Sequence, residues 1–207
     1  MSPRTTRSRT LPTIEPVVPV LGSPPLNDSK WLYEPKFDGW RGILYLSGQE
    51  CYIRSKRGNL LRRFAELAER VRSELPVRDA ILDGEVVAVD DEGRTDFRAL
   101  QHGRGWLHYA AFDVVWLNGK DLRAQPLTRR KRRLEGLIPR NTPTLSRVLA
   151  VEEHGHELFD AAQRLDLEGI VAKRKRDPYS RQTVWYKVKN PAYTQAEGRG
   201  DLFYKPP

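Results

Sequence analysis

Cysteine, methionine and histidine are scarce: the 207 residues include one, one and four of them, and each scarcity removes a class of chemistry. A single thiol, Cys51, excludes an intramolecular disulfide framework and a cysteine-rich zinc site, and a reducing compartment is its natural setting. It begins the run Cys51-Tyr52-Ile53, where a thiol reads as buried and structural rather than reactive. The histidines show no metal-ligand spacing, because His154 and His156 are two apart and suit neither a helical pair at i, i+4 nor a catalytic triad. Long apolar runs are missing as well. Arg4, Arg7 and Arg9 precede a proline-rich stretch instead of a signal peptide's apolar core, and no segment has the apolar length of a membrane span. These absences point to a cytoplasmic, nucleoid-associated protein with no membrane partner.

Acid is in deficit too. Asp and Glu number 27 against 36 Lys and Arg, so the net charge is +9 and a polyanion is the favoured partner, nucleic acid first. A merely basic surface would give the same composition. The 39% of apolar residues suffices for a core in one large domain or two small ones.

Prolines at 3, 12, 16, 19, 24 and 25, among basic and small residues, predict a flexible or extended arm over residues 1–28. Trp31 to Glu34 then reads as a strand, and Arg41 to Leu46 with Gln49 to Arg54 reads as a hairpin turning at Ser47-Gly48. Phe64, Leu67, Ala68, Val71 and Leu75 recur at helical spacing before Pro76. Strands are expected at Ile81 to Asp90, Trp106 to Leu117, Gly169 to Arg174 and Thr183 to Val188, with a turn at Asn118-Gly119. Helices are expected over Thr128 to Leu137 and Glu152 to Leu165. Strands in hairpin-like succession with helices between them make an α+β domain of mostly antiparallel sheet.

The octapeptide Glu34-Pro35-Lys36-Phe37-Asp38-Gly39-Trp40-Arg41 sets one lysine where a nucleophilic amine would need to be. A free lysine is protonated at neutral pH; Pro35 and Phe37 supply desolvation, and a cation such as Arg41 in the same pocket disfavours a second positive charge. Glu85 and Glu168 each stand beside a glycine at the mouth of an apolar run, positions from which carboxylates hold a hard cation or ribose hydroxyls. Taken singly, each is more often a turn or edge-strand charge. Lys187 and Lys189 alternate onto one strand face with Trp185, which suits phosphate oxygens as well as it suits an edge strand defended by lysines. Phe112 offers a plane for base stacking, although core packing explains a lone aromatic equally. Basic clusters at Arg54, Lys56, Arg57, Arg62 and Arg63, at Arg129 to Arg133 and at Lys173 to Arg176 are the residues available to a phosphate backbone.

Together these stretches resemble, in order, the motifs of the covalent nucleotidyltransferase superfamily, and within it the bacterial ATP-dependent DNA ligases. Glu34 to Arg41 resembles motif I and Ser55-Lys56-Arg57-Gly58-Asn59 the short motif after it; Leu82 to Glu85 resembles motif III, Phe112-Asp113 motif IIIa, Glu168 to Val171 motif IV and Trp185 to Lys189 motif V. The resemblance implies two mainly antiparallel sheets with flanking helices and ATP held between them. It makes Lys36 the nucleophile that forms a lysine-AMP, with Mg²⁺ or Mn²⁺ near Glu168 and Glu85. By the same resemblance Glu34 helps bind adenine and Phe112 stacks on it, Arg41 and Glu85 contact ribose or the adjacent phosphates, Lys187 and Lys189 hold phosphate oxygens, and Pro35 and Glu168 complete the nucleotide-binding set. Arg54, Lys56 and Arg57 are expected at DNA, and Asp38 has no assigned role.

Two departures qualify the match. Lys56 stands where the family usually has arginine, which removes bidentate recognition there. Only eighteen residues follow Lys189, so residues 191–207 are expected to be a tail with no OB-fold domain, after an adenylation domain spanning 29–190. The expected partner is nicked double-stranded DNA, bound by a monomer, with an OB-fold or repair protein acting in trans; the short N-terminus argues for ATP over NAD as donor.

Overall fold

The computed structural model describes residues 10–91 and 93–196. The first half contains β1 (Val20–Leu21), β2 (Trp31–Lys36), β3 (Trp40–Ser47), β4 (Glu50–Ser55), helix α1 (Ala65–Glu74), β5 (Asp79–Val89) and α2 (Phe97–Gln101). The second contains β6 (Trp106–Leu117), β7 (Lys120–Asp121), α3 (Leu127–Leu137), β8 (Leu145–Arg147), β9 (Val151–Glu152), α4 (Gly155–Arg164), β10 (Gly169–Arg174) and β11 (Tyr186–Lys189). One sheet runs β1-β11-β10-β2-β9, the other β4-β3-β5-β6-β7 with β8 beside β6. Among the described residues only β1 with β11 and β6 with β8 pair in parallel.

The first sheet is covered on both sides, apolar toward a helix and bearing charges toward the other sheet. Trp31, Tyr33, Ile170 and Ala172 pack against α4, while Glu34, Val171 and Lys187 lie in register across β2, β10 and β11 and share the other face. The second sheet buries Leu44, Leu82, Val86 and Tyr109 with Leu67 and Val71 of α1. Its other face contributes Ile43, Tyr45, Ile81 and Val115 to a layer that meets Tyr179 and Trp185 from the first sheet's side. The cleft opens within that inter-sheet layer.

Local chemistry sets the element ends. α1 and α3 give way to extended residues at Leu75 and Ile138, each just before a proline, where the helical conformation is disfavoured. Asn118 and Gly119 both have positive φ, +46° and +81°, so they make the tight turn joining β6 to β7. Two register shifts between β5 and β6 leave Phe112 and Val115 unpaired opposite their partner strand. Such bulges re-aim side chains, and Phe112 turns toward the cleft.

Several expectations change. The arm is not free along its whole length: Ile14 and Val17 are buried, the Ile14 amide donates to Tyr45 Oη, and β1 pairs with β11. Extended prolines fit this packing as well as they fit a flexible chain, and composition alone does not separate the two. Residues 1–9 and 197–207 lie outside the described residues. Val151–Glu152 is a strand beside β2 and α4 begins at Gly155, because pairing with Leu32 and Tyr33 outweighs helical patterning. Lys36 ends β2 instead of sitting between strands, and β11 begins at Tyr186.

Arg130 of α3 makes a bidentate pair with Asp113, both bonds 2.9 Å, with both side chains fully buried. Asp113→Ala strands the guanidinium and is expected to cost about 3–5 kcal/mol, read as a lower urea midpoint; a loss under about 1 kcal/mol would show that the pair does not anchor the helix.

Candidate active site

Lys36 stands at the end of β2, opposite Gly169 in β10, which is itself opposite Lys189 in β11. Gly169 has φ +138°, and a Cβ there would lie 2.1 Å from the Val188 carbonyl oxygen. Only glycine allows this close approach, which sets Glu168 at the mouth of the strand. Lys36 Nζ donates to Glu168 Oε2 across this row.

The cleft beside Lys36 has a volume of about 200 Å³. Of the residues expected at the nucleotide, Glu34, Pro35, Lys36, Arg41, Glu85, Phe112 and Lys187 line it, and so does Lys56 from the expected DNA set. Glu168 reaches it through its pair with Lys36. Lys189 is exposed and is not part of the wall. Arg54 lies over the Tyr52 ring and donates to the Gly58 carbonyl, while Arg57 is exposed on the adjoining turn.

On the second sheet Arg41 and Glu85 are direct cross-strand neighbours. Arg41 forms two 2.6 Å hydrogen bonds to Asp83, which also accepts one of 2.5 Å from Tyr179, and its guanidinium lies 4.6 Å from the Phe112 ring centre. Burial disfavours the Arg41 charge, but Asp83 more than offsets that, so the guanidinium is a fixed cation. Burial pushes the Glu85 carboxyl up to about 7 against the opposing pull of Lys36 and Arg41.

Four features at or beside the cleft escaped the sequence reading. Lys173, grouped there with a basic cluster available to a phosphate backbone, is buried and donates to Glu34 at 2.6 Å; burial lowers its pKa to about 8 against Glu34's opposing effect. Its position, alternating with Val171 and Gly169 along a buried strand, was the available signal. Lys131, from the expected basic run on α3, pairs with the other oxygen of Glu34. Burial alone would raise the Glu34 pKa, yet Lys131 and Lys173 hold it below the usual carboxylate range. Pro16, Val18 and Pro19 of the arm wall one side, and Arg41 donates to the Val17 carbonyl at 3.1 Å. Asp38, without a role in sequence, is buried and accepts a 2.9 Å bond from Tyr193, tying the loop after Lys36 to the chain beyond β11.

A cleft between two sheets, with a lysine at its mouth and cations along its walls, is the geometry expected of the nucleotidyltransferase motifs. The family model described as ATP dependent DNA ligase domain matches residues 24–189. The chain belongs to this ATP-dependent DNA ligase family. It is 33% identical over 190 residues to the multifunctional non-homologous end joining protein LigD of Pseudomonas aeruginosa, covering 86% of this chain and 22% of that protein. It is 32% identical over 182 residues to the SPbeta prophage-derived DNA ligase-like protein LigB of Bacillus subtilis, covering 83% of this chain and 65% of the relative. A mycobacterial DNA ligase D complexed with ATP and MES superposes with a TM-score of 0.69 at 26% identity, covering 84% of this chain and 60% of that one. The ligase domain therefore spans less than two thirds of each of these relatives.

Among the described residues no three or more metal-binding side chains cluster. Glu85 and Glu168 alone suit a hard cation that keeps its waters and takes its other oxygens from substrate phosphates, as Mg²⁺ does. Among the described residues no helix of the ligase domain is long and apolar enough to cross a membrane.

Because the folded-state pKa of Glu85 is raised, the folded protein holds this proton more tightly than the unfolded chain does, and stability falls as pH rises from about 4.5 toward 7. Glu85→Gln removes that dependence. Thermal unfolding in metal-free buffer is expected to show the variant gaining on the parent between pH 5 and pH 8 by on the order of 2 kcal/mol; a constant difference would mean that Glu85 ionises normally.

Proposed function

We propose that the domain catalyses adenylyl transfer from ATP to Lys36 and onward to the 5′-phosphate at a nick in duplex DNA, in DNA repair. The observation that carries this reading is the Lys36–Glu168 pair at a cleft walled by Arg41, Lys56, Glu85 and Lys187. Nζ must shed a proton to become nucleophilic, and its contact with the Glu168 carboxylate holds it at the mouth of the cleft for the attack. The amine then attacks the α-phosphorus. An N–P bond forms, the bond from that phosphorus to the bridging oxygen breaks, and pyrophosphate leaves with the electron pair. Mg²⁺, or Mn²⁺, held by Glu168 and Glu85 would offset phosphate charge.

Lys187 and Arg41 are the cations for the phosphate and ribose end, with Lys189 joining from the exposed end of β11. Phe112 stacks on adenine, while Glu34 and Pro35 meet its edge. At the nick, a 5′-phosphate oxygen displaces Lys36 from the adenylate and the 3′-hydroxyl then displaces AMP. Arg54, Lys56 and Arg57 would meet the DNA backbone, where Lys56 acts as a point charge. The protein acts as a cytoplasmic, nucleoid-associated monomer, with an OB-fold or repair protein completing closure around DNA.

Incubation with ATP and Mg²⁺ is expected to add the mass of one AMP to the parent and none to Lys36→Ala. An adduct on the variant would exclude Lys36 as nucleophile. Salt-sensitive binding to nicked DNA, with neither an adduct nor sealing of pre-adenylated nicks, would make the protein an accessory module instead.

A further inference from the structure

Lys36 ends β2 in one sheet and Trp40 opens β3 in the other, so Phe37, Asp38 and Gly39 carry the chain between sheets directly after this lysine. That crossing is tight. A Cβ on Gly39 would lie 2.3 Å from the Val86 carbonyl oxygen and 2.8 Å from Glu85 Cγ, which presses the loop onto β5 beside Glu85. Asp38, in the middle of the crossing, is 4% exposed and accepts the 2.9 Å bond from Tyr193 Oη. Burial, with Glu168 and Asp166 nearby, holds the Tyr193 phenol well above its ordinary pKa, so the hydroxyl is a standing donor.

Tyr193 belongs to a strap, Asn190 to Gln195, that touches both sides of the reactive pair. At its start the Asn190 N–H donates to the Glu168 carbonyl at 2.9 Å, and its side-chain amide donates to the Leu167 carbonyl at 3.1 Å. The Thr194 N–H and hydroxyl both donate to Asp166, two residues before Glu168. At the far end Gln195 accepts from the Phe97 N–H at 3.0 Å and donates to the Thr95 carbonyl at 3.2 Å, and Thr95 bridges to Val89 of β5. The strap thus grips the turn that carries Glu168, the loop that follows Lys36 and the end of a strand in the second sheet. Lys36 and Glu168 are 132 residues apart in the chain, and this one segment holds the backbone next to both.

We infer that Tyr193 is a positioning residue for Lys36, which acts through Asp38, with Asn190 holding the Glu168 turn, to set Nζ where it attacks. This rests on the adenylyl-transfer reading and adds a residue beyond the matched 24–189 on which the transfer depends. Asp38 is two residues from Lys36, so a loop released from Tyr193 lets the amine drift, and a misplacement of about 1 Å costs on the order of a hundredfold in rate. In that reading ATP is held by Arg41, Phe112 and Lys187, whose strands are paired independently of Tyr193. Rate and affinity therefore separate.

Single-turnover adduct formation by the full chain at saturating ATP and Mg²⁺, read by intact mass, tests this beside calorimetry with α,β-methylene ATP, whose bridge does not break. Tyr193→Phe keeps the buried ring and is expected to slow adduct formation at least about tenfold while binding the analogue within about twofold of the parent. Asp38→Ala is expected to slow it as well, and the double variant to be no slower than Asp38→Ala, because the hydroxyl acts through that carboxylate. A parent-like rate in Tyr193→Phe, a loss of affinity as large as the loss of rate, or additive losses in the double variant overturns the inference and leaves Lys36 adenylation standing. Absence of an adduct from the parent overturns both. Gln195→Ala, which releases the strap's far anchor at a half-buried position, carries the test if Tyr193→Phe does not fold. Slower transfer at unchanged affinity then supports the strap, and a parent-like rate overturns it.

Discussion

The buried Arg130–Asp113 pair is the constraint on which the cleft depends. Two sheets with apolar inner faces would close fully on each other if only area burial mattered, and no ligand space would remain. Arg130 anchors α3 to β6 of one sheet through two hydrogen bonds, and Lys131, the next residue, reaches Glu34 in β2 of the other. One helix thereby spans the end of the inter-sheet layer and fixes its spacing. The cost is desolvation of several charges, offset because both Asp113 oxygens receive donors and Arg130 also donates to the Gln125 and Asp177 carbonyls.

The same logic repeats toward the reactive end. Arg41 is satisfied by Asp83 and by the Val17 carbonyl, while Asp83 is further held by Tyr179. A guanidinium locked in this way presents charge to a ligand with little reorganisation. Lys36 differs, since it is paired with Glu168 at the rim of the cleft, and an ion pair there separates more readily than one held from several sides. Cations held in place by Asp83 and Glu34 thus stand near one lysine that is less firmly held, an arrangement that suits the role proposed for Lys36.

The arm adds a wall beyond the residues that match the family. Its short parallel pairing of Val20 and Leu21 with Tyr186 and Lys187 sets Pro16, Val18 and Pro19 beside the cleft, next to the strand that supplies Lys187. Prolines serve here because an edge segment has few backbone donors to satisfy and gains from fixed φ.

Much was legible in the sequence. The motif order around Lys36, Glu85, Phe112, Glu168 and Lys187 and the main strands and helices followed from local rules, because turn chemistry at Asn118-Gly119 and apolar periodicity act over a few residues. Lys173 and Arg130, read as charge available to a phosphate backbone, proved to be interior because distant strands supply their counter-ions, and no local pattern encodes a partner 139 residues away, as Glu34 is from Lys173. Likewise the packing of the arm and the bulge that turns Phe112 arise from pairing between strands. The sequence by itself determined the family and the alternation that aligns the site's side chains, and it singled out Lys36 as the lysine proposed to react. Only the tertiary structure decided which charges are buried, which lysine meets each oxygen of Glu34 and how wide the cleft stays, because each depends on ion pairs whose members meet only when the two sheets and α3 pack together.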